Sequence, residues 1–243
     1  MATSSCRRRA DVPDERDRRD AEPQPLALAG WLPSWDVERR VAALDEVIAW
    51  TRMKLRAWGV GVERLDEIDV PGLHAMKLAR ALTREAAARE LRGPLHAALR
   101  AMLPELPWQD VLVQTYAHFR ILVPGDGLGP VPPHVDAGFG HGLDERNVWL
   151  ALTDASGDAA LHVCTLHESL AHLTSTGIVD GVLAAPATLR PAAVRAGDAL
   201  LFTPLHVHGA RPPVDRARVS IDLRIVPVGG VEPGASFSPV RSS

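Results

Sequence analysis

The first hundred residues place apolar side chains at the spacing of an α helix. From Ser34, a suitable N-cap, to Gly59, apolar positions recur every three or four residues with charged residues between them, which predicts one long amphipathic helix. These positions are Val37, Val41, Leu44, Ile48, Met53 and Leu55. A second helical segment is predicted to begin at Thr83, to be interrupted at Gly93-Pro94 and to resume to about Leu103, with the proline in the first turn of the resumed helix.

At Trp108 the helical spacing gives way to short strand-like runs separated by Gly-Asp turns. The run Val111 to Leu122 alternates between two faces. One face carries Val111, Val113, Thr115, Ala117, Phe119 and Ile121, and the other carries Leu112, Gln114, Tyr116, His118, Arg120 and Leu122. If the helices cover the first face, the polar face lines the lumen of a barrel; the alternative is that it meets water. Further strands are predicted at Asn147–Thr153, Ala160–Cys164, Ala199–Thr203 and Arg218–Val226.

The 243 residues are predicted to form one domain with two tails. The domain spans residues 25–228, helical over 34–103 and a β barrel over 108–228. Residues 1–24 are rich in Arg, Asp and Pro and nearly free of large apolar side chains, so they are predicted to be a disordered tail. The alternative, a nucleic-acid-binding arm, is disfavoured because acidic residues neutralise the arginines. Residues 229–243 are predicted to be a flexible C-terminal tail.

Composition narrows the classes of function. The chain is 46% hydrophobic and 23% charged with a net charge of −3, and its charges are mixed in sign, so no nucleic-acid partner is expected. No apolar run is long enough for a bilayer, and no apolar segment follows the N-terminal arginines, so neither a membrane span nor a secretory signal is expected. The two cysteines offer no disulfide framework. A cytoplasmic location is therefore predicted.

A candidate metal centre begins at His134-Val135-Asp136, which follows the proline-stiffened run Gly129–Pro133. Side chains at i and i+2 of an extended segment point to the same face, so one imidazole and one carboxylate can meet one cation. A distant histidine can complete the set, and His206 and His208 are both candidates. Two histidines and one carboxylate are typical ligands of non-haem Fe(II).

A candidate carboxylate site follows on the next strand. Its alternation places Arg218 and Ser220 on one face, together with Asp222 and Arg224. A guanidinium can form a bidentate pair with a carboxylate, and a hydroxyl two residues later can reinforce it. The alternative is an exposed polar strand face.

In their order and spacing, His134, Asp136, His208, Arg218 and Ser220 resemble the Fe(II)/2-oxoglutarate-dependent oxygenases, in particular the branch of phytanoyl-CoA hydroxylase. The resemblance covers roughly residues 110 to 228 and extends in detail to the small bacterial members of aminoglycoside antibiotic pathways, such as the streptomycin and hygromycin types. The other matching segments are Asn147–Asp154, Ala160–Val163, Gly197–Phe202 and Arg218–Arg224.

This resemblance implies a mainly β fold with N-terminal helices: a double-stranded β-helix, or cupin-like jelly roll, with helices buttressing one sheet. It implies that His134, Asp136 and His208 bind Fe(II) and that Arg218, helped by Ser220, holds the far carboxylate of 2-oxoglutarate. His208 is preferred to His206 because the family's distal histidine precedes a glycine, although its interval to Arg218 is about one residue shorter than usual. With O2, such an enzyme oxidises a small polar metabolite.

The resemblance also bears on reaction and pocket. Asp136 favours hydroxylation or a related two-electron oxidation, such as ring closure, because the halogenating relatives lack this carboxylate. Asn147 and Trp149 stand where relatives contact the cosubstrate. The other pocket candidates are Gln114, Tyr116, Arg120 and His141, whereas His118, His162 and His206 are expected to be packing or surface residues.

Two other classes of function stay open at this point. One is a cupin-like metal enzyme that does not use 2-oxoglutarate, and the other is a non-enzymatic jelly-roll binding module. The sequence predicts neither the substrate's identity nor the oligomeric state.

Overall fold

The computed structural model describes residues 37–87, 91–102, 110–125, 130–179, 182–183, 189–228 and 237–241. Within these ranges the helices are α1 Asp45–Ala57, α2 Gly72–Ala87, α3 Arg92–Met102 and α4 Leu166–Thr176. The strands are β1 Glu38–Val41, β2 Asp110–Gln114, β3 His118–Leu122, β4 Val131–His134, β5 Arg146–Ala151, β6 Leu161–Val163, β7 Ile178–Val179, β8 Val182–Leu183, β9 Arg190–Ala192, β10 Asp198–Phe202, β11 His208–Ala210, β12 Arg218–Pro227 and β13 Phe237–Arg241. In the described part of the chain, no helix combines the length and the apolar character that a bilayer crossing requires.

The strands form two antiparallel sheets. The larger sheet has the order β1-β10-β5-β12-β2-β13, with β3 also paired to β12, and the smaller sheet has the order β7-β8-β4-β11-β6-β9. The chain passes from one sheet to the other between β4, β5 and β6, and again between β10, β11 and β12. This alternation is consistent with a jelly roll, in which two sheets face each other across a common interior.

The two faces of the larger sheet have different partners because side chains alternate along each strand. On β5, Val148 and Leu150 belong to the core that the helices cover, whereas Trp149 and Ala151 belong to a separate cluster. That second cluster includes Leu161 of the smaller sheet. Helices α1, α2 and α3 therefore cover the outer face of the larger sheet, and the inner face is left to line the space between the sheets.

The predicted helix from Ser34 to Gly59 is wrong at its beginning. Residues Glu38–Val41 form β1, which pairs antiparallel with β10, and α1 begins only at Asp45. The apolar positions in this stretch fit a strand as well as a helix, and pairing with a distant strand decided between them. Acidic residues fill the first turn of α1, where they interact favourably with the helix dipole. The predicted N-cap Ser34 lies outside the described residues.

Two further boundaries differ from prediction. The second helical segment begins at Gly72, directly after Pro71, and not at Thr83. The run Val111 to Leu122 is two strands, β2 and β3, separated by a bend, and both pair with the long strand β12. The position of Pro94 in the first turn of α3 is confirmed, but Gly93 also lies inside this helix, so the predicted interruption at Gly93-Pro94 is wrong.

The predicted tails have different outcomes. The segment 229–243, predicted to be a flexible tail, contains strand β13, which pairs antiparallel with β2 along Phe237–Arg241. This pairing lies beyond the reach of local sequence patterns because it depends on an edge that β2 offers. The predicted disordered tail, residues 1–24, lies outside the described residues.

Candidate metal centre

Strand pairing in the smaller sheet brings the two histidines together. His134 ends β4, His208 begins β11, and the two residues are directly opposite in the antiparallel register. Asp136 follows two residues after His134, as the first residue of a short 3-10 turn that ends at Phe139. Residues far apart in the sequence thus meet at one edge of the interior.

The three side chains converge on one point. The ring centroids of His134 and His208 are 4.2 Å apart. Oδ1 of Asp136 lies 3.7 Å from Nε2 of His134 and 3.9 Å from Nε2 of His208. One ligand atom from each residue lies within 4.8 Å of the other two, so a single cation can contact all three.

The backbone fixes which nitrogen of each imidazole faces this point. Nδ1 of His134 lies 2.9 Å from the carbonyl oxygen of Pro132, and Nδ1 of His208 lies 2.9 Å from that of His206. A carbonyl only accepts, so each Nδ1 carries the proton and donates it, which leaves the lone pair on Nε2. Metal-binding histidines are typically oriented by such a second hydrogen bond.

Burial and neighbouring charges set the protonation of the cluster. Burial, reinforced by His134, lowers the pKa of His208 to about 4, so its imidazole is neutral at neutral pH. Burial acts to raise the pKa of Asp136, but His208, Arg224 and His134 together outweigh it, and that pKa is lowered below its ordinary value. Asp136 is therefore an ionised carboxylate beside a neutral imidazole, which is the form that binds a metal.

Arg224, to which the sequence analysis gave no role, positions the carboxylate. Its Nη2 lies 3.0 Å from Oδ2 of Asp136, and its Nε lies 3.6 Å from Oε2 of Glu145. The same Glu145 oxygen lies 3.0 Å from Nδ1 of His141. Arg224 thus occupies Oδ2 and leaves Oδ1 toward the histidines. The alternation that singled out Arg218 also places Arg224 on the inner face, and this was the signal available in the sequence.

A cavity of about 230 Å³ opens beside the cluster. Its wall combines the three candidate ligands with charged residues of β3 and β12 and with apolar side chains of both sheets. The lining residues include His118, Arg120, Trp149, Leu161, Phe202, Arg218, Asp222 and Arg224. The inner polar face predicted for this region therefore borders a cavity that could hold a polar ligand.

Arg218 lies at the enclosed side of this cavity. Its side chain is 1% exposed, and its Nη1 donates to the carbonyl oxygens of Ala159 and Ala160 at 3.2 and 3.3 Å. The guanidinium lies 5.6 Å from the ring centroid of Trp149. Among the described residues, neither Nε of Arg218 nor Oγ of the buried Ser220 has a hydrogen-bond partner. Burial lowers the pKa of Arg218 to about 10.

The other predicted pocket residues are placed less uniformly. Trp149 and Arg120 line the cavity, whereas Asn147, Gln114 and Tyr116 do not. Asn147 is buried and its amide has no hydrogen-bond partner among the described residues, and the same holds for Oε1 of Gln114. Tyr116 lies in the bend between β2 and β3 and is 49% exposed. Alternation fails there because the bend interrupts the strand.

The two remaining histidines of interest lie outside the ligand cluster. Nδ1 of His206 accepts a hydrogen bond from the backbone N–H of Thr203 at 3.0 Å, and its side chain is buried. The side chain of His141 contacts Glu145, which in turn lies beside Arg224, and the backbone N–H of His141 donates to the carbonyl oxygen of Asp136 at 3.4 Å. Of the two histidines in the stretch Leu205–Gly209, the structure thus places His208 beside His134 and Asp136.

Gly209 allows β11 and β4 to approach each other. A Cβ atom at this position would lie 2.8 Å from the carbonyl oxygen of Val131. We expect Gly209→Ala to push β11 away from β4, to cost about 1–3 kcal/mol of the free energy of unfolding, and to weaken Co(II) binding because His208 shifts relative to His134. Urea denaturation and Co(II) titration measure the two effects. Gly61→Ala, with open space around the added methyl group, is the control, and an equal effect of both substitutions would contradict this explanation.

The two-sheet fold that carries the His-Asp-His cluster is similar to the folds of solved non-heme enzymes. The chain is similar to the non-heme monooxygenase ThoJ, solved as a Ni complex, with 19% identity, a TM-score of 0.56 and coverage of 84% of this chain and 78% of that one. It is similar to SnoK, a non-heme alpha ketoglutarate dependent carbocyclase from nogalamycin biosynthesis, with 17% identity, a TM-score of 0.51 and coverage of 84% and 91%. It is also similar to EvdO2 from Micromonospora carbonacea var. aurantiaca, with 16% identity, a TM-score of 0.50 and coverage of 94% and 93%. No family model and no curated protein matches the sequence.

Proposed function

We propose that this protein is a non-haem Fe(II)/2-oxoglutarate-dependent oxygenase that oxidises a small polar metabolite, and that its two sheets form a double-stranded β-helix. The observation that carries the proposal is the occurrence of two sites in one cavity. One is a convergent His-Asp-His set, and the other is a buried arginine that no carboxylate of the described residues pairs within salt-bridge distance. Each site fits one of the two components of such an enzyme.

The donor atoms of His134, Asp136 and His208 fit iron(II). Two imidazoles and one carboxylate provide nitrogen and oxygen donors on one face of an ion, and this combination suits non-haem Fe(II) with coordination positions left open. No thiolate takes part, since the described Cys164 is buried elsewhere. Arg224 holds the second oxygen of Asp136, so the carboxylate offers one oxygen to the ion.

Arg218 and Ser220 fit the far carboxylate of 2-oxoglutarate. A buried guanidinium costs free energy unless an anion compensates it. Arg218 lines the cavity, whereas Ser220 is fully buried behind it; Nε of Arg218 and Oγ of Ser220 are both unsatisfied, so a carboxylate at Arg218 would supply the missing partner. Val163 pairs with His208, while the carbonyl of Ala160, three residues earlier, accepts from Arg218. Three residues of extended chain, from Ala160 beside Arg218 to Val163 beside His208, therefore span about 10 Å. A five-carbon dicarboxylate can bridge a separation of this size between an ion and a guanidinium.

When bound with O2, iron and 2-oxoglutarate would supply a two-electron oxidation of the substrate, with succinate and CO2 as the other products. The protein's own residues bind and orient. His134, Asp136 and His208 hold the ion, and Arg218 with Ser220 holds the dicarboxylate. Trp149, Leu161 and Phe202 line the cavity with apolar surface that limits the access of water.

The similar structures support an oxidative role in secondary metabolism. ThoJ is described as a monooxygenase and SnoK as a carbocyclase of nogalamycin biosynthesis, so hydroxylation and ring closure both belong to the proposal. We extend it to an antibiotic intermediate, of aminoglycoside type, as the substrate, on the basis of the resemblance in the sequence.

Anaerobic spectroscopy tests the proposal. Protein mixed with Fe(II) and 2-oxoglutarate in the absence of O2 is expected to show the weak visible charge-transfer band of that chelate, saturating at one equivalent of each. Protein that binds iron but develops no band would favour the cupin-like metal enzyme. Protein that binds no stoichiometric metal would favour the non-enzymatic binding module.

A further inference from the structure

Arg120 and Asp222 form an ion pair on the cavity wall built by the larger sheet. Arg120 lies on β3 and Asp222 on β12, and the two strands are paired so that His118 faces Asp222 directly. Nε of Arg120 donates to Oδ2 of Asp222, and both residues line the cavity that contains the metal cluster. Their side chains are 50% and 27% exposed. The function proposed above leaves this pair without a role.

We propose that the Arg120–Asp222 pair recognises the hydroxyl groups of a neutral, polyhydroxylated substrate, such as a sugar or a cyclitol. This inference rests on the proposed function, because it treats the cavity as the place where the oxidised metabolite binds. It concerns the substrate only, and neither the metal nor the cosubstrate. Among the intermediates of an aminoglycoside-type pathway, it selects a neutral sugar or cyclitol over an intermediate that carries charged amino groups.

The first argument is the set of hydrogen-bonding groups that the pair leaves available. Their mutual bond uses Nε of Arg120 and Oδ2 of Asp222. Within the described part of the chain, the two Nη groups and Oδ1 form no hydrogen bond to protein. The pair therefore offers N–H donors and a carboxylate acceptor side by side. Two adjacent hydroxyl groups, each of which donates and accepts, match this arrangement.

The second argument is charge balance. The arginines that line the cavity are Arg120, Arg218 and Arg224. They are matched by the carboxylates of Asp136 and Asp222, which also line it, and of Glu145, which contacts Arg224. The two positive charges of a divalent ion would cancel the two negative charges of a dicarboxylate. The cavity with both bound would therefore remain balanced in charge. An ionic substrate would lose its hydration without meeting a net opposite charge, whereas a neutral polyol avoids that cost.

The third argument is accessibility. Arg218 is buried at the enclosed side of the cavity, whereas half of the Arg120 side chain faces solvent. A ligand that enters from solvent can therefore reach the Arg120–Asp222 pair while Arg218 holds the dicarboxylate. The buried Arg218 would thus bind the dicarboxylate, and the more exposed Arg120 would bind the substrate.

Three hexose probes that differ mainly in charge test the inference: glucose, glucosamine and glucuronate. Their affinities are measured by ligand-observed NMR titration of protein loaded with redox-inert Zn(II) and 2-oxoglutarate, at a pH where the amine and the carboxylate are both charged. Glucose is expected to bind about two- to tenfold more tightly than either charged sugar. Asp222→Asn should shift the preference toward glucuronate, and Arg120→Gln should shift it toward glucosamine, by factors in the same range.

The exposed pair Arg56–Glu63, with a 2.7 Å separation, is the matched control. Arg56→Gln and Glu63→Gln remove the same charges outside the cavity and should leave the order of the three sugars unchanged. The inference is overturned if the wild-type protein prefers a charged sugar, if it binds none of the three, or if the control variants alter selectivity equally. Binding of 2-oxoglutarate is followed in the same samples. If the protein binds no 2-oxoglutarate but keeps the expected sugar selectivity, the result counts against the proposed function alone. If it binds 2-oxoglutarate but lacks that selectivity, the result counts against the substrate class alone.

Discussion

His208→Ala is expected to lower the affinity for Fe(II) or Co(II) by at least about 100-fold, whereas His206→Gln should leave it within about threefold. The two histidines lie two residues apart and are both buried. Only His208 directs Nε2 toward Asp136, at 3.9 Å, and only it lies opposite His134. Loss of an outer hydrogen-bond partner costs metal sites roughly 10- to 100-fold in affinity, and loss of a direct ligand should cost more.

Metal titration followed by Co(II) absorption, together with thermal unfolding at several metal concentrations, measures this difference. A metal that binds the folded state at 100 times its dissociation constant adds about 2.7 kcal/mol to the free energy of unfolding, and this increment should vanish in His208→Ala. The stability of His206→Gln should fall because its Nδ1 no longer accepts from Thr203, but the metal-dependent increment should persist. Equal metal affinity in both variants, or a greater loss at His206, would contradict the assignment.

Local patterns were sufficient to predict most of the inner strands. The strand-like runs Asn147–Thr153 and Arg218–Val226 predicted strands that the structure contains as β5 and β12. Each of these strands lies between two neighbours, and its outer face packs against helices, so the pattern of apolar residues is strong. The triplet at His134 and the later His208 were also recognisable, because their chemistry is specific even though their convergence is a tertiary property.

Other features depended on contacts that no local window contains. Glu38–Val41 became a strand because β10 offered an unpaired edge, and Phe237–Arg241 did so at the edge of β2. The first part of α2 was missed because the helix begins at Pro71-Gly72, a pair that is also typical of a loop. The role of Arg224 was missed because an arginine on an alternating strand face carries no mark of its partner, here Asp136, which is distant in the sequence.

One face of β12 explains much of the organisation of the cavity. Arg218, Ser220, Asp222 and Arg224 alternate along the strand, and three of them line the cavity. Arg224 orients the carboxylate of Asp136, which is proposed to bind the metal, Asp222 belongs to the proposed substrate site, and Arg218 lies at the enclosed side. The spacing of these residues along β12 therefore sets the distances between the proposed sites for the metal, the substrate and the cosubstrate.

Arg218→Met is expected to weaken 2-oxoglutarate binding by about 30-fold or more, since truncating one partner of a buried charge pair costs about 2–5 kcal/mol. The same variant should be as stable as the wild type, or more stable, in the absence of ligand. Burial lowers the pKa of Arg218 to about 10, so keeping the guanidinium charged costs the folded state on the order of 3 kcal/mol. Methionine fills similar space without that charge, although the carbonyls of Ala159 and Ala160 lose a donor.

Urea denaturation and anaerobic 2-oxoglutarate titration separate these two effects. Arg216→Met, which removes an exposed arginine paired with Asp66 at 3.0 Å, is the control and should leave 2-oxoglutarate affinity unchanged. Metal affinity should be unaffected by either change, because neither residue contacts the His-Asp-His cluster. A 2-oxoglutarate affinity for Arg218→Met within about threefold of wild type would refute the cosubstrate role and favour a metal enzyme that does not use 2-oxoglutarate. A large loss of stability together with retained affinity would make Arg218 a structural residue, since its burial would then contribute to folding and not to the binding of a ligand.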